Sequence, residues 1–189
     1  MRRITIFVLA AVLGTLACDD SPSNPSGQAA MFNLRITDSP FSDARAVLVT
    51  FSEVTAHRSD SDWTAIPFAA GATSRTCDLK KLENSEDILG TGPLPAGDYT
   101  QVRLVVQSAR LYFDNPSAGP ACAATIAVPA GAAADVRIPS GEVKLNRGFR
   151  LTAEDTTTML LDFDGDRSIH HTGNGAYLMN PVIGIVRVE

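Results

Sequence analysis

Apolar and polar residues alternate with a period of two along most of the chain from Phe32 onward. This alternation predicts β-strands with one buried face, because successive side chains of a strand point to opposite sides. Turn residues separate the strands at intervals of about 8–12 residues, a spacing typical of β-sandwiches. The segments that carry the pattern are 32–37, 47–54, 63–68, 102–113, 125–128, 135–138, 142–145, 148–153, 157–164, 177–179 and 182–188.

Two local signals refine this prediction. The segment Asp78–Leu89 carries Leu79, Leu82 and Ile88 at helical spacing, so it predicts one short helix. Gly173-Asn174-Gly175 predicts a hairpin turn, since these residues tolerate positive φ. Segments 148–153 and 157–164 are expected to pair with each other. The predicted fold class is therefore all-β: an antiparallel, immunoglobulin-like β-sandwich with one short helix.

The first 18 residues have the layout of an export signal. Two arginines precede an apolar run over residues 4–13, and small residues lead to Cys18. The run is shorter than the roughly 20 residues that span a bilayer. A cysteine at the cleavage point resembles a bacterial lipobox, although Thr15 stands where Leu is usual. We expect a signal peptide over residues 1–17 and lipidation of Cys18; the alternative is an ordinary cleaved signal with Cys18 merely nearby.

Residues 18–30 are predicted to form a flexible tether after the lipidated cysteine, since residues 19–28 are all polar, Pro or Gly. Residues 31–189 then form a single domain. Removing Arg2 and Arg3 from the 16 basic residues leaves 14 against 21 acidic ones, a formal charge of −7. With no basic cluster larger than Lys80-Lys81, this balance argues against a nucleic-acid partner. The expected location is the bacterial cell envelope, periplasmic or surface-facing, with the membrane as partner through the lipid.

Two cysteines remain for the domain, Cys77 and Cys122. Disulfides persist in exported proteins, so we expect these two residues to be bonded. Two independent free thiols are the alternative, because sequence alone does not show proximity.

Clustered carboxylates are the strongest chemical feature of the sequence. Asp162, Asp164 and Asp166 surround Gly165, and hard oxygen ligands of this kind hold Ca²⁺. The EF-hand pattern fails at its twelfth position, which is Gly173 rather than Glu. His171, with its neighbour His170, extends the set to an Asp/His transition-metal site. The competing interpretation is a strand with one solvated face that runs into a turn.

Other side chains carry weaker signals. Trp63 could stack on a glycan, but a position that covers the sandwich core or its edge suits a single Trp better. Glu53 and Arg103 lie on otherwise apolar strands, where they either pair across strands or face solvent. The chain has no GxSxG, HExxH, P-loop or GxGxxG motif, so the sequence predicts no enzyme and no catalytic residue.

Several segments resemble an uncharacterised bacterial lipoprotein family, domain-of-unknown-function family 4382. They are the strand and turn over 34–40, the strand over 46–54 followed by Trp63, Asp78-Leu79 with Leu82, and the stretch Leu94–Leu104. The Pro-Ala-Gly-x-Tyr entry at 95–99 also occurs in transthyretin-like and carboxypeptidase-regulatory-like sandwiches. The resemblance implies that architecture and an envelope address, and it implies no activity.

Three functions are compatible with the sequence. The first is a lipid-anchored, non-enzymatic envelope module that is structural or binds an envelope protein or glycan. The second is a Ca²⁺-stabilised adhesion or binding domain that uses the aspartates and His171. The third is a hydrolase whose site has no recognisable motif.

Overall fold

The structure is a computed structural model that describes residues 28–39, 41–59 and 61–189. The predicted signal peptide, Cys18 and nearly all of the predicted tether lie outside these residues. Within them the chain forms thirteen strands: β1 (Ala29–Ser39), β2 (Ala46–Arg58), β3 (Trp63–Ala65), β4 (Arg75–Asp78), β5 (Asp87–Pro95), β6 (Gly97–Tyr112), β7 (Cys122–Ala123), β8 (Ala133–Arg137), β9 (Glu142–Leu151), β10 (Thr156–Asp164), β11 (Ile169–His171), β12 (Tyr177–Met179) and β13 (Ile183–Val188).

The strands form two sheets. The smaller sheet has the order β13-β10-β1-β5, and the larger one has the order β11-β12-β8-β6-β2-β4-β7, with β3 on β2 and β9 on β6. Most pairs are antiparallel, as expected, but β1 pairs with β10 and β12 pairs with β8 in parallel. A parallel pair needs a long crossover, and β1 and β10 are joined through most of the domain. The all-β class is therefore confirmed, whereas a purely antiparallel sandwich is wrong.

The two sheets bury a shared core between them. Phe32 on β1 stacks on Phe149 on β9 with ring centres 5.5 Å apart, and Phe51 on β2 meets Phe163 on β10 at 6.4 Å. The alternation of apolar and polar residues produces this core: every second residue of β1 from Ala30 to Asp38 faces it and is buried. Burying one such aromatic or aliphatic side chain stabilises a fold by about 1.5–3 kcal/mol.

The predicted helix over Asp78–Leu89 is wrong. Only Leu79–Lys81 is helical there, as a single 3₁₀ turn, and β5 begins at Asp87. Leu79 and Leu82 still reach the core, so a tight turn achieves the burial that suggested a helix. The one α-helix among the described residues is instead α1 (Gly165–Ser168), a single turn capped by Asp164.

Other local predictions have mixed outcomes. β3 pairs with β2 as expected for a hairpin partner, and β11 pairs with β12 around the Gly173-Asn174-Gly175 turn. Residues 125–128 form no strand. Segments 148–153 and 157–164 do not pair with each other: β9 pairs with β6, and β10 lies between β1 and β13.

The turn from β5 into β6 explains the Pro-Ala-Gly-x-Tyr motif. Gly97 has φ +147°, a backbone conformation that favours glycine. The hydroxyl of Tyr99 donates a hydrogen bond of 2.8 Å to the carbonyl of Pro95, four residues upstream. The motif is therefore a structural corner that fixes how β6 enters the larger sheet, and it resembles the tyrosine corner of other sandwiches.

The sandwich has two distinct ends. Gln28 and the start of β1 mark the end that we call proximal, where the carbonyl of Gln28 accepts a hydrogen bond from the amide of Ala96. β1 has 11 residues and spans about 33 Å at its usual rise. The opposite end, which we call distal, therefore lies about one domain length from the point where the tether would enter.

Candidate functional site

A groove of about 730 Å³ opens at the distal end of the sandwich. Its walls come from the segment 42–45 between β1 and β2, from the 3₁₀ turn after β4, and from the chain that follows β6. Phe113 and Pro116 supply apolar surface. The charged lining consists of three cationic and three acidic side chains: Arg45, Lys80, Lys81, Asp43, Asp78 and Asp114.

Asp78 is the structural floor of this groove. It is fully buried, and its Oδ1 accepts hydrogen bonds from the amides of Val47 at 3.0 Å and Lys80 at 3.2 Å. Its Oδ2 accepts a third bond, 2.6 Å long, from the hydroxyl of Ser117. A carboxylate with three such donors is well satisfied and holds three separate segments together.

The cationic side chains of the rim differ in how far they are bonded to other residues of the protein. Lys80 pairs with Glu83, and its Nζ also donates to the carbonyl of Phe41 at 2.8 Å. Lys81 Nζ donates to the carbonyl of Gly119 at 2.7 Å. Arg45 is exposed, and among the described residues its guanidinium forms no ion pair. Arg45 and Lys81 are therefore the cations best placed to meet a ligand.

Asp38 lies behind the groove wall at the end of β1. Its side chain points inward, and the residue is 3 % exposed. Neither carboxyl oxygen receives a hydrogen bond of good geometry within the described part of the chain, although the amide of Gly165 lies close enough to act on it. Burial, reinforced by the negative charges of Asp162 and Glu83, raises the pKa of Asp38 to about 8. The amide of Gly165 and the charge of Lys80 lower it only in part. At neutral pH this carboxyl is therefore mostly protonated.

Two of the four predicted metal ligands accept hydrogen bonds from neighbouring residues, and the other two are exposed. Asp162 accepts hydrogen bonds from the Ser39 hydroxyl at 3.0 and 3.2 Å, and Asp164 Oδ1 caps α1 by accepting the Arg167 amide at 3.0 Å. Asp166 is exposed on α1, and His171 is exposed on β11. Over the described ranges no three His, Cys, Asp or Glu residues converge as a metal-holding group. The calcium site therefore stays a prediction.

Histidines do not gather into a site in the described part of the molecule. His171 packs edge-on against Tyr177 at 5.1 Å, and His170 is exposed on the same short strand. His57 lies near the end of β2, where its Nδ1 is 3.0 Å from the Thr100 hydroxyl on β6. The groove lining contains none of the three.

Trp63 lies outside the core. It is 37 % exposed on β3, and the guanidinium of Arg103 covers its ring. Arg103 also pairs with Glu142 on β9 at 3.3 Å rather than with Glu53, which is exposed. Because Arg103 occupies one ring face, Trp63 offers a sugar less stacking surface than a bare platform would.

Cys77 and Cys122 are joined by a disulfide between β4 and β7. The amide of Cys122 donates to Asp87 Oδ2 at 2.9 Å, and Arg75 donates to the carbonyl of Cys122 at 3.1 Å. Arg75 itself is buried beside Asp87, and this burial lowers its pKa. The disulfide and these bonds fix the segment 113–132, whose first residues form one wall of the groove.

No helix among the described residues combines the length and the apolar character that a bilayer crossing requires. Searches with this chain found no match among curated proteins or among solved structures. A family model described as "Domain of unknown function (DUF4382)" matches residues 29–181. That match covers nearly all of the sandwich, including the disulfide, the Tyr99 corner and the distal groove, so this chain belongs to the DUF4382 family.

Proposed function

We propose that this protein is an exported, lipid-anchored module of the bacterial cell envelope that binds a small polar ligand without transforming it. The observation that carries the proposal is the distal groove with both signs of charge at its rim. It lies at the end of β1 opposite Gln28, so a protein held by its N-terminus would present the groove away from the membrane.

Two features support the envelope location. Residues 1–18 carry the basic start, the apolar run and the terminal cysteine of a lipoprotein signal. The Cys77–Cys122 disulfide suits a chain that folds outside the reducing cytoplasm. A single acyl chain binds membranes only marginally, with an association constant on the order of 10⁴ M⁻¹, whereas the several chains of a lipoprotein terminus anchor stably.

The lining favours binding over catalysis. Asp78 and Lys80 are committed to hydrogen bonds that hold the walls, and no histidine or cysteine lines the groove within the described residues. Asp43 and Asp114 stand on the same rim as Arg45 and Lys81. Charge complementarity then favours a ligand that carries both an ammonium and a carboxylate, such as a short peptide.

Fractionation tests the location. The full-length protein should sediment with bacterial membranes, and Cys18→Ser should shift it to the soluble periplasmic fraction or leave an uncleaved precursor. Ser23→Ala is the matched control, because it changes one small residue near Cys18 and leaves both the lipidation residue and the disulfide intact. Recovery of the unaltered protein in the cytoplasm would contradict the proposal.

Ligand binding is tested with three peptides that share one sequence and differ only in their terminal charges: tri-alanine, its N-acetyl form and its C-terminal amide. Zwitterionic tri-alanine should shift the amide resonances of the groove wall more than either blocked form, and Arg45→Gln with Lys81→Gln should abolish the shift. Arg147→Gln, a change at an exposed residue of β9, is the control. Equal shifts from all three probes, or no shift at millimolar concentration, would reject a groove selective for a zwitterion.

A further inference from the structure

One buried group remains without a role in the proposed binding function. Asp38 is the last inward-facing residue of β1, after Phe32, Leu34 and Ile36, and it occupies a core position with a group that can ionise. An ionised carboxylate without a well-formed hydrogen bond is costly to bury. This position therefore tolerates Asp38 best in its protonated form.

Three elements close around this carboxyl. The charged groups that act on it are Asp162 from β10 and Glu83 and Lys80 from the turn after β4, and α1 contributes the amide of Gly165. A Cβ placed on Gly165 would lie 3.3 Å from Asp38 Oδ1 and 3.1 Å from Phe41 Cβ. The first residue of α1 is thus in tight contact with both Asp38 and the start of the groove wall.

Phe41 links this buried group to the groove. Its carbonyl accepts the hydrogen bond from Lys80, and the next four residues, Ser42 to Arg45, line the groove. The wall ends where the amide of Arg45 donates to the carbonyl of Tyr112 at 2.7 Å. Separation of Phe41 from α1 would therefore expose Asp38 and move the rim that carries Arg45.

We propose that the Asp38 proton latches this wall: the segment 41–45 and α1 stay packed while the carboxyl is neutral, and they separate with release of its proton to solvent. The raised pKa of Asp38 agrees with this geometry. A closed wall that holds the proton and an open wall that releases it make opening easier as pH rises, by up to about tenfold per pH unit. The effect levels off once the closed state itself loses the proton, near pH 8.

Hydrogen exchange of the Arg45 amide tests the latch without any ligand, so its outcome is independent of the proposed binding function and of anchoring. The ratio of exchange rates between the unaltered protein and Asp38→Asn cancels the intrinsic pH dependence of exchange. This ratio should rise up to about tenfold per unit between pH 5 and 8 and then flatten. Asp166→Asn, a change at an exposed residue of α1, is the control. The Arg45 amide of this variant should exchange at the same rate as that of the unaltered protein at every pH.

The Leu104 amide, in the centre of β6, reports whether the wall opens separately. Arg45 should exchange faster than Leu104 and should show the pH slope. The latch is overturned if the ratio at Arg45 is flat with pH, if the slope occurs only at Leu104, or if both amides exchange at one rate. Each of those results would mean that the wall does not open on its own with proton release.

Discussion

The guanidinium carbon of Arg103 lies 4.0 Å from the centre of the Trp63 ring, across the outer face of the larger sheet. A stack of this kind at a partly exposed site is worth about 0.5–1 kcal/mol. A double-mutant cycle with Trp63→Ala and Arg103→Ala should return a coupling of that size in urea unfolding. The Arg110–Tyr112 pair, at 5.7 Å, is the control and should couple more weakly. Additive effects for Trp63 and Arg103 would show that the contact stabilises nothing.

The Tyr99 corner should contribute measurably to stability. Tyr99→Phe removes the donor of the hydrogen bond to the Pro95 carbonyl and keeps the ring that stacks on Phe149 at 5.2 Å. We expect a loss of about 0.5–1.5 kcal/mol in unfolding free energy. Tyr177→Phe is the matched control, since the Tyr177 hydroxyl forms no hydrogen bond to described residues. Equal losses in both variants would contradict the role of the corner.

The disulfide should be a large single contribution to stability. It closes a loop with a sequence separation of 45 residues. The chain-entropy relation gives roughly 4 kcal/mol for a loop of that length, within a usual range of about 2–4 kcal/mol. Reduction, or the double change Cys77→Ala and Cys122→Ala, should lower the urea midpoint accordingly without changing the sheet signal in circular dichroism. An unchanged midpoint after verified reduction would refute this expectation.

Asp38→Asn should stabilise the protein, which is unusual for a change in a core. The folded protein holds the Asp38 proton more tightly than the unfolded chain, because the folded pKa is about 8 against an ordinary value of 3.8. Stability therefore falls as pH rises from about 4 to about 8, by at most about 5–6 kcal/mol. Asn carries no charge, so the variant should lack this component of the pH dependence.

The check for Asp38→Asn is the difference in unfolding free energy between variant and unaltered protein at several pH values. That difference should grow in favour of the variant up to about pH 8. A difference that stays constant with pH, or a variant that is less stable at pH 8, would show that Asp38 is ionised and satisfied in the fold.

The sequence predicts the sandwich because period-two burial is a local property of each strand. Phe32, Leu34 and Ile36 are enough to assign β1 and its inner face. The same register places Asp38 on that inner face, so the alternation itself signals a buried carboxyl outside the predicted Asp162–Asp166 site. Strand partners are not local: β10 joins β1 rather than β9 because of the overall topology, which no short segment encodes.

The groove could not be predicted from the sequence either. Arg45, Lys81 and Asp114 come from three separate connections that meet only because β1, β4 and β6 end at the same side of the sandwich. The expected helix over 78–89 fails for a related reason. Leu79 and Leu82 have helical spacing, but Asp78 uses its carboxylate to join the groove segments, and a 3₁₀ turn satisfies both leucines.

The most direct test of an anchored envelope module is the mass of the N-terminal fragment of the mature protein, released by protease from purified bacterial membranes. Our account predicts a fragment that begins at Cys18 and is heavier than its sequence by a diacylglyceryl group, with a further acyl chain on the amino group in bacteria that add one. A fragment that still begins at Met1, or a processed chain with an unmodified Cys18 thiol, would contradict it.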